Sequence, residues 1–182
     1  MIEPREKAIT EAAVQTARLM AAAAISAPKA SGNDTVQSFV LTGEEKDQLA
    51  QHLRDIAEET GAEFFARDAG NVDRSEAVVL IGVRNVPFGL DHCGYCGFRN
   101  CAEMTKAGAN CALTITDLGI AVGSAVSIAA DHRMDNRVMF SAGQSALRMG
   151  FFDPSVRVSY GIPISVTSKS IYFDRDPGAV LF

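Results

Sequence analysis

Four cysteines fall within residues 93 to 111, CGYCGFRNCAEMTKAGANC, and the rest of the 182-residue chain has none. They are Cys93, Cys96, Cys101 and Cys111, spaced C-x2-C-x4-C-x9-C. The first two can clasp one metal centre through a tight loop, and Gly94 and Gly97 let that backbone turn closely round sulfur. Cys101 arrives about one helical turn after Gly97, and Cys111 closes the site from the next loop. Four thiolates suit either a [4Fe–4S] cluster or tetrahedral zinc. The asymmetry of C-x2-C-x4-C favours the cluster, because structural zinc sites more often carry two separated knuckles. Zinc remains the alternative, with a disulfide or free redox thiols behind it. Tyr95 and Phe98 would shield a cluster from water and shift its potential, or simply pack. His92 and His132 read as surface or cap histidines, since four cysteines already complete a ligand set.

The elements around the cysteines follow from pattern. An Ala/Leu/Met-rich helix is expected over residues 4–25, broken by Pro28 and Gly32 in SAPKASGND. VQSFVLT (36–42) has strand composition. Thr42 and Glu45 predict a capping box, Leu49, Leu53 and Ile56 recur at helical spacing, and Gly61 is the stop. AEFFARDAG continues helically, and AVVLIGV (77–83) reads as a buried strand. After Cys111, LTITDLGIAVGSAVSIAADHR reads as a central buried helix. Its Gly119 and Gly123 predict close approach of another backbone or a flat ligand, and Asp117 reads as a helix cap. SAGQSALRMG is a short helix ended by Gly150, and VRVSYGIPISV is a strand broken at Pro163. The tail SKSIYFDRDPGAVLF is partly apolar and suited to docking on another subunit.

Composition sets the class. Hydrophobic residues make up 47% and charged residues 21%, as in ordinary globular proteins. A formal net charge of -5, with Lys and Arg spread along the chain, argues against nucleic-acid binding. The first helix's longest apolar run, LMAAAAI, is too short to span a bilayer and too alanine-rich for a signal core. A cytoplasmic protein with no membrane partner is expected, and there clustered cysteines bind metal or do redox chemistry more often than they form disulfides. No glycine-rich phosphate loop and no Ser-His-Asp set is visible.

Three stretches carry a resemblance. CGYCGFRNC resembles the C-x2-C-G-x3-C iron–sulfur module of corrinoid iron–sulfur proteins and membrane electron-transport B subunits, where the last cysteine lies further on. AAAAISAPKASGNDTVQSFVLTGEEKDQLAQHL resembles the nitroreductase pattern of an alanine-rich helix, an AP-S-x-x-N element, a strand and a charged helix. TDLGIAVGSAVSIAADHRMDNRV and YGIPISVTSKSIYFDR resemble that fold's central helix and its C-terminal G-x-P segment. With the cysteine motif, the chain is identified as a member of the uncharacterised bacterial and archaeal family of ferredoxin-domain-containing proteins.

The resemblance implies an α+β, three-layer nitroreductase-like sandwich. It would form a single domain over 1–182, with an inserted four-cysteine iron–sulfur segment at 91–112. It also implies an intertwined homodimer with FMN at the subunit interface. Pro28 and Asn33 match the proline and asparagine of the P-S-x-x-N element; Lys29 stands at the serine, and the Q-P-W that follows is missing. The N-terminal basic-x-Ser-x-basic phosphate grip is absent, with Arg5 and Lys7 only a loose substitute. Lys169 and Arg175 would meet a phosphate from the C-terminal side, though as plain residues they read as surface charges. Lys29 itself reads as a solvated lysine or a reactive amine. The function expected is iron–sulfur redox or electron transfer, as a flavin-assisted oxidoreductase if FMN binds. Its partner would be a redox protein or a small-molecule electron donor. The rivals are a scaffold that has lost FMN and a zinc-braced, non-catalytic binding protein on the same fold.

Overall fold

The computed structural model describes residues 2–173. Its centre is an eight-residue apolar strand, β2 (Ala77–Arg84), buried along nearly its whole length. It pairs antiparallel with β1 (Val36–Leu41) on one side and β4 (Val156–Ser165) on the other. The two-residue β3 (Asp135–Asn136) adds to β4, giving the sheet order β1-β2-β4-β3.

Alternation along β2 creates two cores. Ala77, Val79, Ile81 and Val83 pack with α1 (Arg5–Ser26) and α5 (Ala112–Asp131). Val78 and Leu80 pack with α2 (Gly43–Thr60), α3 (Glu63–Asp73) and α6 (Phe140–Arg148). The result is the expected α+β sandwich of helix, sheet and helix layers. α1 buries Ala13, Ala17, Met20 and Ala24, and α5 buries Ala121, Ala125 and Ala129. Such small side chains let the two helices approach closely. By length and apolarity α5 passes for a membrane-crossing helix, with mean hydropathy 1.6, but here it packs on α1 and the sheet.

Four local expectations need correction, and a fifth, the close approach at Gly119 and Gly123, finds no partner within this chain. Pro163 does not break β4. It pairs opposite Val78, and its missing N–H faces the β3 side, where pairing lapses between Asn136↔Ile164 and the Met139↔Gly161 bridge. Thr42 is the N-cap of α2, but its side chain makes no capping hydrogen bond, so the capping box does not form. Gly119 and Gly123 face open space within this chain, with nothing within 4 Å of where a Cβ would sit. Asp117 lies in the second turn of α5 and does not cap it. Lys29 is not solvated: its side chain is 5% exposed and closes the end of α1. The ammonium donates to the carbonyls of Ala24 (3.1 Å), Ala27 (2.9 Å) and Ile25. Those are carbonyls a helix end leaves unpaired, and the cation complements the helix dipole there.

Candidate iron–sulfur centre

The end of the sheet where β2 finishes carries the cysteine segment. After Arg84 the chain leaves the sheet, and residues 85–100 form an irregular loop. Gly94 (φ 62°) and Gly97 (φ 81°) adopt the left-handed conformation, and a Gly97 N–H to Gly94 carbonyl bond of 2.9 Å tightens the turn between Cys93 and Cys96. Cys101 opens a short helix, α4 (Cys101–Lys106). Asn100 caps it by accepting from the Glu103 N–H at 3.0 Å. This helix was not anticipated from sequence, although Asn100 followed three residues later by Glu103 is a helix-start signature. Cys111 sits at the N-cap position of α5 and enters from the other side.

All four cysteines line one pocket, with Phe88, Leu90, Tyr95, Phe98, Met104 and Leu113 around them. None is in a disulfide; Cys111 is buried and the other three are half-buried. Phe98 is half-buried at the pocket wall, but Tyr95 is 77% exposed and shields less than its position in sequence suggests. Burial pushes the Cys111 thiol up, yet hydrogen bonding outweighs it and the net direction is down. The contributing groups are the Thr114 side chain and backbone, then the Leu113 and Phe88 backbones. The Cys111 side chain makes no capping hydrogen bond to α5. Among the described residues, no group of three or more His, Cys, Asp and Glu converges on a single-ion position. His92 (exposed, φ 60°) and His132 (exposed, the C-cap of α5) stand outside the pocket lining.

The same end of the sheet holds the turn that resembles a flavin-contacting element. Pro28 and Asn33 are exposed on either side of a short 3-10 turn, Ala30–Gly32. The turn is tied to the sheet through the Arg84 side chain on the Asp34 carbonyl (3.2 Å), and to α5 through the Ala30 N–H on Asp117 Oδ1 (3.0 Å). Asp117 is 3% exposed, and its Oδ2 has no hydrogen-bond partner among the described residues. It follows Cys111 by six residues, about 9 Å along the helix. The first turns of α5 therefore link the cysteine pocket to the Pro28–Asn33 turn. Lys169 is exposed beyond the far end of β4. Six residue steps run from the Val83↔Val158 pair to the Ala77↔Ile164 pair, about 20 Å, so one chain does not bring Asn33 and Lys169 together. Arg175 lies outside the described residues. Arg5 is exposed, and Lys7 pairs with Glu3 and Glu11 at 3.4 and 3.6 Å.

Solved structures with this fold carry flavin-enzyme names. The chain superposes on a provisionally named nitroreductase in complex with FMN from Desulfovibrio desulfuricans with TM-score 0.57, at 17% identity, over 91% of this chain and 80% of that one. An NADPH:FMN oxidoreductase from Vibrio harveyi complexed with NAD+ gives TM-score 0.54 at 13% identity, over 86% of this chain and 60% of that one. These likenesses establish a nitroreductase-like fold. In sequence, an uncharacterized protein of Archaeoglobus fulgidus is 40% identical over 169 residues, covering 88% of this chain and 90% of the relative. Residues 107–175, which span Cys111, α5, α6 and β4, match the profile of a family described as uncharacterized protein containing a ferredoxin domain. On the family match and the identity with its archaeal relative, the chain belongs to this family of ferredoxin-domain proteins.

Proposed function

We propose that this chain is an iron–sulfur redox protein in which Cys93, Cys96, Cys101 and Cys111 hold a [4Fe–4S] cluster. The observation that carries the reading is the gathering of all four cysteines, unbridged, on one mostly aromatic and aliphatic pocket. The donor set fits: four sulfurs supplied by one loop and the starts of α4 and α5, with Gly94 in the left-handed conformation between the first two and Gly97 after the second. The family's ferredoxin description and the flavin-enzyme names of the structural neighbours support a redox role. A bound cluster would supply one-electron chemistry. Phe88, Phe98 and Met104 would keep water from it, and the half-buried sulfurs would leave it near enough to the surface to exchange electrons with a partner.

The space now enclosed is about 20 Å³. The segment that carries Cys93 and Cys96 is exposed at Gly94 and Gly97. This small volume is what favours the second reading, a single zinc bracing the loop. Against zinc stands the uneven spacing C-x2-C-x4-C-x9-C.

FMN enters as an extension of the same proposal. Pro28 and Asn33 would frame it near the cluster, while Lys169 would reach it from a second copy of the chain, because one copy separates the two ends; Arg175 is the further cation that the family resemblance implies for the phosphate. The supporting surface is the outer face of α5, where Gly119, Ile120 and Gly123 are exposed; Leu19 and Ile25 of the neighbouring α1 are exposed as well.

The test is anaerobic purification with iron, sulfide, zinc and flavin assays on one sample, together with an absorption spectrum. Iron and sulfide near four each per chain, lost in Cys101→Ser, is the expected result. One zinc per chain without sulfide would overturn the cluster.

A further inference from the structure

Cys111 is separated from Cys101 by nine residues, and nothing in that spacing says what sets its position. The structure supplies a clamp. Asn85 follows β2 directly, and its N–H donates to the Ser155 carbonyl at 2.9 Å, which fixes it beside the start of β4. Its carboxamide then bonds the ligand-bearing segment at two points. Oδ1 accepts from the Cys111 N–H at 3.0 Å, and Nδ2 donates to the Ala109 carbonyl at 3.0 Å. The two partners are a donor and an acceptor, so only one orientation of the amide satisfies both. Arg157 on β4 adds a second tie, donating to the Gly108 carbonyl at 2.6 Å. Residues 108–111 are therefore registered on the sheet, whereas Cys93 and Cys96 ride an exposed loop.

We propose that Asn85 is a positioning residue for the fourth thiolate: it holds the Cys111 backbone at the depth and angle from which its sulfur can close a cluster seated on the other three cysteines. The inference rests on the reading of the four cysteines as cluster ligands. Asn85 lines the back of the Cys111 segment and not the cysteine pocket itself, so its effect on the metal passes through the backbone it clamps.

The experiment compares wild type, Asn85→Ala, Asn85→Asp and Cys111→Ala, each reconstituted anaerobically with iron and sulfide. After addition of ferricyanide as the one-electron oxidant, iron release to a chelator is timed, and electron paramagnetic resonance reads the loss of one ferrous ion that leaves an oxidised three-iron form, the signature of a lost fourth ligand. Thermal melts of the metal-free proteins check folding. Asn85→Ala is expected to release iron about 10- to 100-fold faster than wild type, the usual penalty for removing a partner behind a metal ligand. It should also show the three-iron signal seen in Cys111→Ala. Asn85→Asp keeps the acceptor for Cys111 and loses the donor to Ala109, so it should fall between. Should Asn85→Ala fail to fold, Asn85→Asp carries the test alone. Wild-type release rates and no three-iron signal in the folded Asn85 variants would overturn the positioning role while leaving the cluster in place. Absence of iron and sulfide from wild type itself would overturn the cluster reading, and the positioning role with it.

Discussion

Three carbonyls at the end of α1 take the protons of one buried ammonium, and replacing Lys29 by Met removes the donors while keeping much of the stem. Hydrogen bonds from a charged donor are worth about 1.5–3 kcal/mol, and the part-buried carbonyls of Ala24 and Ala27 would lose that donor. Lys29→Met should therefore lower the unfolding free energy by roughly that amount, read from the midpoint and slope of a urea titration. Tyr172 gives a pH-dependent counterpart. It is 1% exposed, its hydroxyl is 2.8 Å from Ser75 Oγ, and burial pushes its pKa up to about 12 from 10.0. The folded state favours the neutral phenol, so this stability is complete below pH 10 and lost as pH rises through 12. The loss should reach about 1.4 kcal/mol at pH 11 and about 2.7 kcal/mol well above pH 12. Tyr172→Phe removes that titration, so the gap between variant and wild type in urea midpoint should narrow from pH 9 to pH 11. A constant gap would mean that the phenol does not ionise differently in the two states.

The α6 helix lies against β4 so closely that its Gly143 leaves no room for a side chain: a Cβ there would come within 2.1 Å of the Ser159 carbonyl oxygen. Backbone on the other side cannot step aside cheaply, so Gly143→Ala should destabilise by about 1–3 kcal/mol. Gly70 in α3 is the control, since a Cβ there meets nothing within 4 Å and alanine is the better helix former. Gly70→Ala should be neutral or stabilising by up to about 1 kcal/mol in the same denaturant titration. The pair also shows what pattern reveals about elements. β2 was legible because seven apolar or small residues in a row, bounded by charge, fit a strand buried on both faces. α2 was legible from Leu49, Leu53 and Ile56, and its end from Gly61, which takes φ 70°. The unbroken β4 was not, because a proline's tolerance depends on which neighbour its missing N–H faces, and that neighbour is set by tertiary pairing. The two-residue β3 is too short to leave a periodic trace. At the site, the cysteines announced themselves by type and crowding. Asn85 did not, since its partners lie 24 and 26 residues away and a lone loop asparagine carries no pattern.

Across the whole molecule the distribution of groups is lopsided. The cysteine pocket, the Pro28–Asn33 turn and the start of α5 crowd one end of the sheet, while Lys169 lies beyond the other. A flavin site using both ends therefore requires a second chain set against the first. The outer face of α5 suits that contact: Gly119 and Gly123 present bare backbone, and Ile120 is 41% exposed between them. Small residues spaced by four on a helix admit another backbone at close range, which is the approach their sequence suggested and the single chain does not supply. If two copies meet here, Ile120→Glu would bury a charge in the contact at a cost that no surface position shares. The expected outcome is a wild-type mass of two chains by light scattering after gel filtration. Ile120→Glu should run as one chain with an unchanged far-ultraviolet circular dichroism spectrum. Flavin should then be lost with the dimer while iron remains, because the four cysteines all come from one chain. A variant that stayed dimeric would place the contact elsewhere, and one that became monomeric yet kept its flavin would show that Lys169 has no part in binding it.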